Sequence, residues 1–351
     1  MKQKHLFNKA MTHEMPFVIA EMSGNHNQSL EKAMEIVDAA AETGVQAIKL
    51  QTYTADTLTL KGAYTINDKK SLWYGRDLYD LYQEAHTPWE WHKSLFERAK
   101  EKGIICFSTP FDETAVDFLE SLDNPIYKIA SFEINHIPLL KYVAQTHKPV
   151  IMSIGASTLS EIEEAVNTLR DNGCSDLTLL KCTSTYPASP ENTNLITIPH
   201  LKKLFDCNVG LSDHTLGIGV AVASVVLSAT VIEKHFCLCR AEGGVDCAFS
   251  MEPHEMKILV EELYRAYLAV GKIQYGILDS EKESRIFKRS IYVSRDITKG
   301  EMFTKDNIKV IRPGDGLHPR YYDELLVRKS KQDIKKGTLL NFNKIENNFD
   351  V

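Results

Sequence analysis

Between Phe17 and Phe236, short apolar runs that end in polar residues recur at 17–21, 47–53, 104–109, 126–131, 150–155, 177–183, 209–214 and 231–236. They are rich in Val, Ile, Leu and Phe and are nearly continuous rather than alternating, the pattern of strands buried on both faces. The intervening segments 29–43, 87–102, 114–122 and 160–172 repeat apolar residues at helical spacing. Several open on a Ser or Thr cap and close on Gly44, Gly103 or Gly173. The stretch 217–229, small and aliphatic, also reads as a helix. Successive strand-plus-helix units over about 250 residues predict an α/β fold of the closed TIM (β/α)8 barrel type rather than an open doubly wound sheet. No Gly-x-Gly-x-x-Gly follows the first strand, which weakens a dinucleotide-binding reading.

The polar residues fall where such a barrel needs them. Glu21, Lys49 with Gln51, Ser108 with Thr109, Lys128 with Ser131, Ser153, Lys181 with Thr183, Ser212 with His214, and Glu233 with His235 all sit at or just past the C-terminal ends of strands. Active sites of this fold occupy that face. Residues spaced by two share a side of a strand, so Lys49/Gln51 and Ser212/His214 can both point into the barrel mouth. Desolvating a lysine costs several kcal/mol unless an anion meets it. Lys49 and Lys128 therefore imply either a bound phosphate or carboxylate, with Thr109, Ser131, Ser153 and Ser212 as hydroxyl donors, or internal pairing with Glu21 or Glu133. His214 and His235, at the ends of two runs joined by one helix, are expected side by side. Two imidazoles suit a borderline divalent ion such as manganese, cobalt or zinc and leave coordination positions open for substrate. The alternative, a zinc site completed by Cys237 and Cys239, fits poorly, because residues two apart point along one strand face beyond the metal.

Composition narrows the partners. The chain has 351 residues, 43% hydrophobic and 25% charged, with a formal net charge of −6. Acidic and basic residues are mixed, so neither a nucleic-acid stripe nor a basic membrane face is expected. The seven cysteines form no paired framework, the first 15 residues lack the apolar core of a secretion signal, and no apolar run approaches the roughly 20 residues of a membrane span. A cytoplasmic protein with small-molecule partners fits these features. Beyond Ala269 the periodicity fades: 271–288 ends in a charge cluster and reads as a linker. After it, Asp296-Ile297-Thr298-Lys299-Gly300 is echoed by Asp333-Ile334-Lys335-Lys336-Gly337, with Ile308 and Ile345 following, which predicts a small duplicated β domain. Between the repeats, a turn-rich loop presents Arg312.

These residues carry a resemblance. Ala20-Glu21-Met22-Ser23-Gly24-Asn25-His26, Ile48-Lys49-Leu50-Gln51-Thr52, Phe107-Ser108-Thr109-Pro110-Phe111, Tyr127-Lys128-Ile129-Ala130-Ser131-Phe132-Glu133, the two histidine segments and the Arg312 loop are together similar to the sialic acid (nonulosonic acid) synthase family. Those enzymes condense phosphoenolpyruvate with an amino sugar. Ser71-Leu72-Trp73, Leu78-Tyr79-Asp80-Leu81-Tyr82, Thr87-Pro88-Trp89-Glu90-Trp91-His92 and Gly316-Leu317-His318-Pro319-Arg320-Tyr321-Tyr322 resemble the pseudaminate-making branch, with the N-acetylneuraminate and legionaminate branches as alternatives.

The resemblance implies a catalytic TIM barrel over 1–270, a linker over 271–288 and a small β-rich SAF domain, similar to type III antifreeze proteins, over 289–351. It further implies a domain-swapped homodimer, no nucleic-acid or membrane partner, and a divalent cofactor on His214 and His235, Mn2+ before Co2+ or Mg2+. Glu133 is then the general base for water, acting with the two histidines. Lys49, Thr109, Lys128, Ser131, Ser153 and Ser212 hold phosphoenolpyruvate; Glu21, Gln51, Tyr186, Asp246 and the partner-contributed Arg312 meet the sugar. At 67–76 the chain leaves the sialic acid synthase pattern, and no sugar contact is carried over there. A different phosphoenolpyruvate-condensing barrel, or a non-catalytic carbohydrate-binding protein, are the competing classes.

Overall fold

A computed structural model describes residues 15–346. The polar start of the chain, read above as lacking a secretion signal, and the last five residues of the 289–351 segment lie outside them. Contacts divide the chain into two compact units, between Gly271 and Lys272.

The first unit is a closed parallel barrel in the order β1 to β8. Its strands are β1 (Phe17–Glu21), β2 (Ala47–Thr52), β3 (Ile105–Pro110), β4 (Tyr127–Ile129), β5 (Val150–Ser153), β6 (Leu177–Cys182), β7 (Asn208–Ser212) and β8 (Val231–His235). The helices that follow them in turn are α1 (Leu30–Glu42), α2 (Trp89–Lys102), α3 (Glu113–Ser121), α4 (Ile137–Ala144), α5 (Leu159–Asp171), α6 (Thr197–Phe205), α7 (Gly219–Val226) and α8 (Pro253–Val270). Helix α1 shows the local logic. Ser29 caps it by accepting from the Lys32 N–H, and Ala33, Ile36, Val37 and Ala40 form its buried stripe. Helix α2 stops at Gly103, whose φ of +81° is the left-handed conformation a side chain resists.

Strand parity builds both the core and the site. Phe17, Ile19, Ala47, Ile105, Phe107, Ile126, Ile151, Leu180 and Val231 fill the barrel interior as one apolar cluster. Val18, Ala20, Ile48, Leu50, Cys106 and their neighbours face outward against the helices. Truncating Phe107 to Ala is worth about 3–5 kcal/mol of stability, since a packed interior collapses only partly. At Gly210 a Cβ would lie 2.2 Å from the Val231 carbonyl and 2.7 Å from Leu180, so only glycine lets β7 approach β8 there. Continuing the inward parity toward the C-terminal ends replaces apolar residues with polar ones: Phe17 and Ile19 lead to Glu21, Ala47 to Lys49 and Gln51, Val231 to Glu233 and His235.

Several strands stop a residue or two short of their apolar runs, and β4 is cut to half its expected length. The chain leaves β4 after Ile129 and turns through a 3-10 segment, Ser131–Glu133, closed by the Glu133 N–H on the Ala130 carbonyl at 3.1 Å. Ser131 and Glu133 are therefore presented on a turn rather than on a strand.

In the second unit β9 (Ser290–Val293) pairs antiparallel with β10 (Ile308–Ile311) over a core of Ile291, Val293, Ile297, Phe303, Ile308, Ile334, Leu340 and Ile345. The repeated motifs face each other reciprocally. Ile297 bridges Ile334, the Lys299 N–H donates to Asp333 at 2.7 Å, and the Lys336 N–H donates to Asp296 at 2.9 Å. The segment 271–288 carries two exposed 3-10 turns, Asp279–Glu281 and Glu283–Phe287.

Candidate active site

The inward-facing ends of seven strands converge on a cavity of 60 Å³ lined by Glu21, Lys49, Gln51, Lys128, Ser131, Ser153, Cys182, Tyr186, Ser212, His214, Glu233 and His235, with Ala130 its one apolar liner. Register aligns Glu21 with Lys49 on one side and with His235 on the other. Lys49 makes an ion pair with Glu21 and donates to Thr109 Oγ1 at 3.1 Å. Lys128 Nζ lies 3.7 Å from Glu233, which also accepts from Ser212 Oγ at 3.3 Å. The buried lysines are thus internally paired, and the partner of Lys128 is Glu233 rather than Glu133.

Burial disfavours both ammoniums, but the outcome differs. Lys49, beside Glu21 and Glu233, is held above its ordinary pKa, whereas Lys128 is lowered, because desolvation outweighs Glu233 and Lys49 repels it. Burial raises the Glu21 carboxyl to about 7 against the pull of Lys49, while Glu233 is lowered because Lys128, Lys49 and His214 together overcome its own desolvation. Despite these pairings Ser153 Oγ and Glu233 Oε2 are buried with no hydrogen-bond partner. Orphaned buried polar atoms are rare in folded proteins; Ser153 Oγ, with two ammoniums and the hydroxyls of Ser131 and Ser212 lining the same cavity, offers donors that suit an anion, whereas Glu233 Oε2 is an acceptor awaiting a donor.

His214 and His235 come together as their strand positions require, with ring centroids 5.3 Å apart. His214 Nδ1 is 3.0 Å from the Thr183 carbonyl, which can only accept, so Nδ1 carries a proton; against its burial, Cys182 and that carbonyl hold the ring above its ordinary pKa, and in its neutral form the lone pair lies on Nε2. Burial, with His214 and nearby lysines, pushes His235 well below the usual imidazole range and keeps it neutral; its Nδ1 is buried without a hydrogen bond, 3.8 Å from Asp246. His235, neutral and unsatisfied beside a carboxylate, and His214, oriented by a carbonyl with its Nε2 lone pair free once the ring is deprotonated, fit a divalent ion. Among the described residues no group of three or more His, Cys, Asp or Glu side chains forms a metal cluster, and Cys237 with Cys239 completes none.

Gln51, Ala130, Tyr186 and His235 also line a second, larger cavity of 300 Å³. Its walls are mostly apolar: Tyr53, Leu58, Ile66, Trp73, Leu78, Leu81, Tyr82, Phe111 and Phe132, with Ser23, Glu133 and Asp246 as its further polar members. Trp73 comes from the long β2–α2 connection, where the Ile66 N–H bonds the Arg76 carbonyl at 2.9 Å, and its indole N–H donates to the Val245 carbonyl at 3.0 Å. Asp246 accepts from Ser23, Gln51 donates to Glu21 at 3.0 Å, and the Tyr186 ring packs 4.5 Å from that of His214. Burial raises Glu133 to about 7, only partly opposed by Lys128, its own backbone N–H and Lys49, and its Oε2 has no hydrogen-bond partner.

Of the residues expected from sequence, the two cavities gather Glu21, Lys49, Gln51, Lys128, Ser131, Glu133, Ser153, Tyr186, Ser212, His214, His235 and Asp246. Thr109 lines neither; it braces Lys49. Arg312 is exposed on the second unit. Two polar liners of the small cavity went unassigned. Glu233 is two residues from His235 and shares its parity. Cys182 lies 3.8 Å from His214 Nδ1 through Sγ, and its thiol sits at about 7, since contact with His214, Ser131 and Ser184 outweighs burial. Parity along β6, from Leu180, was the signal that points to it.

Comparison with known proteins matches this geometry to a family. The NeuB family profile covers residues 36–275 and that of the SAF domain residues 288–346. A pseudaminic acid synthase of Campylobacter jejuni is 44% identical over 94% of this chain and 96% of its own length. An N,N'-diacetyllegionaminic acid synthase of the same species is 36% identical over 92% of this chain and 98% of its own. Among solved structures, the N-acetylneuraminic acid synthetase of Leptospira borgpetersenii superposes with a TM-score of 0.69 at 33% identity, covering 78% of this chain and 90% of that one.

Proposed function

The chain belongs to the NeuB family, and from that premise we propose that it is a pseudaminic acid synthase, condensing phosphoenolpyruvate with 2,4-diacetamido-2,4,6-trideoxy-L-altrose to a nine-carbon acid with release of phosphate. The observation that carries the reading is the junction of the two cavities at Gln51, Tyr186 and His235: an anion subsite with two lysines opens onto an apolar, aromatic chamber. The small cavity takes the phosphate and carboxylate of phosphoenolpyruvate, with Lys49, Lys128 and the hydroxyls of Ser131, Ser153 and Ser212 as donors. The larger takes the sugar, whose 6-methyl and acetamido methyls suit Trp73, Leu78 and Phe111 better than the hydroxyl of a mannosamine.

His214 and His235 hold a divalent ion, Mn2+ before Co2+ or Mg2+. When bound, the ion supplies Lewis-acid polarisation of the sugar aldehyde oxygen. The double-bond electrons of phosphoenolpyruvate join carbon 3 to the aldehyde carbon, leaving a cationic centre at carbon 2, and the aldehyde oxygen takes up a proton from solvent. Glu133, whose carboxyl ionises near 7, accepts a proton from the water that adds to carbon 2. The tetrahedral product then expels phosphate by carbon–oxygen cleavage. Glu21, held by Gln51, and Asp246, held by Ser23, orient the sugar hydroxyls from the boundary of the two cavities. Arg312 reaches the N-acetyl region of a sugar in the site of a second copy, in a domain-swapped homodimer.

The deciding measurement is phosphate release with the altrose derivative, the legionaminate precursor and N-acetylmannosamine. Clear preference for the first is expected, and equal or greater efficiency with N-acetylmannosamine would make the chain a sialic acid synthase. Mixing an Arg312→Ala dimer with a His235→Ala dimer should restore activity in hybrids, where one site regains both parts. No recovery, with subunit exchange verified, removes Arg312 from the partner's site.

A further inference from the structure

Behind the two histidines lies a second buried pair with no part in the chemistry above. Asp213 precedes His214 and Lys234 precedes His235. The register that sets Ser212 opposite Glu233 continues through the Asp213 N–H on the Glu233 carbonyl at 2.9 Å, which brings Asp213 beside Lys234 and His214 beside His235. Alternation turns Asp213 and Lys234 away from the cavity that their neighbours line.

The pair is saturated. Lys234 Nζ donates to Asp213 Oδ2 at 2.8 Å, to the Thr215 carbonyl at 2.7 Å and to the Gly217 carbonyl at 3.1 Å. Asp213 Oδ1 accepts from the Thr215 N–H at 2.9 Å and its hydroxyl at 2.8 Å. The two residues are 3% and 1% exposed. A buried ion pair adds little stability over packed apolar residues of the same volume, so its value lies in the geometry it imposes. Here the three Lys234 bonds tie the Asp213 side chain before His214 and the Thr215 and Gly217 carbonyls after it to the residue that precedes His235, while the Asp213–Thr215 bonds close the turn around His214. The Ala188 N–H, on the His214 carbonyl at 2.9 Å, holds the same turn from the β6 side.

We propose that Asp213 and Lys234 are a positioning pair that sets the separation of the His214 and His235 imidazoles for a shared divalent ion. The proposal rests on the reading of those histidines as metal ligands. Loss of the pair lets the 213–217 turn shift against β8, which weakens the metal while leaving Lys49, Lys128 and Ser153, on other strands, and Ser131, on the turn after β4, to hold phosphoenolpyruvate.

The test is calorimetric titration of metal-free, full-length protein with MnCl2 and, separately, with phosphoenolpyruvate, for wild type, Lys234→Met, Asp213→Asn and His214→Ala. Lys234→Met should weaken Mn2+ binding about 10-fold or more, the range typical of groups that orient a metal-binding histidine, with phosphoenolpyruvate affinity within about two-fold of wild type. Excess Mn2+ should return its turnover toward the wild-type value, which a general packing defect does not allow. Asp213→Asn keeps one acceptor oxygen for Thr215 but sets an amide donor before Lys234, and carries the test if Lys234→Met does not fold; a Mn2+ loss in the same direction is expected. Unchanged Mn2+ affinity, or equal losses for Mn2+ and phosphoenolpyruvate, overturns the proposal. Wild type without Mn2+ binding that His214→Ala abolishes would instead remove the metal reading, and this inference with it.

Discussion

The small and large cavities meet at His235, yet they are built on opposite physics. In the first, buried charges are matched one against another, Lys49 with Glu21 and Lys128 with Glu233, so removing any member leaves an uncompensated charge away from water. In the second, the walls are aromatic and aliphatic, and each contact contributes modestly and independently. On the proposed reading, apart from Glu133, which lines the large cavity, the difference separates the groups that bind phosphoenolpyruvate and the metal from those that select the sugar: charge-matched sites fail as a unit, apolar ones degrade by steps.

The sharpest break should come at the shared edge. His214→Ala or His235→Ala is expected to reduce phosphate release to background while the far-ultraviolet circular dichroism spectrum stays native, and chelation should inactivate the wild type reversibly. Full activity in chelator contradicts the metal reading. Next in size, Glu133→Gln should lower kcat by on the order of 100-fold or more and leave phosphoenolpyruvate binding intact. Near-normal turnover would recast Glu133 as a wall residue.

The same carboxyl predicts a pH profile. Its value of about 7 means that wild-type turnover rises with pH through that value and that Glu133→Gln loses the rising limb. A smaller consequence concerns stability. Folding raises this carboxyl above its ordinary 4.5, so its contribution is fully present below that value and is lost as pH rises through about 7. Thermal melts should therefore show Glu133→Gln more stable than wild type at pH 8 and little different at pH 4.

The large cavity should respond by degrees. Trp73→Ala is expected to lower preference for the diacetamido sugar over N-acetylmannosamine within the roughly 10- to 200-fold that apolar contacts supply. Trp73→Phe, which keeps an aromatic wall but frees the Val245 carbonyl, should have the least effect, read as a change in sugar KM. A loss of all turnover in Trp73→Ala would mean that the two cavities are not separable.

The barrel was legible because burial on both faces forces its strands to be apolar throughout, and any polar residue inside such a run stands out: Lys49, Lys128, Ser153 and His235 announce themselves. Helix caps and glycine stops, such as Ser29 and Gly103, are local and were equally readable. The departures came where the outcome depends on distant partners. The turn that ends β4 is held from outside by the Gly155 N–H, which donates to Ser131 Oγ at 2.9 Å, and the carboxylate facing Lys128 is chosen by closure of the barrel, which brings β8 and β4 to the same mouth. Cys182 enters the site only because β6 places it against His214. Trp73 becomes a cavity wall only because a carbonyl 172 residues away accepts its N–H. Periodicity, capping and spacing act within a few residues and were settled by the chain itself; which charges pair, which ring meets which loop and what pKa results depend on distances between segments far apart in sequence, and those exist only once the barrel has closed.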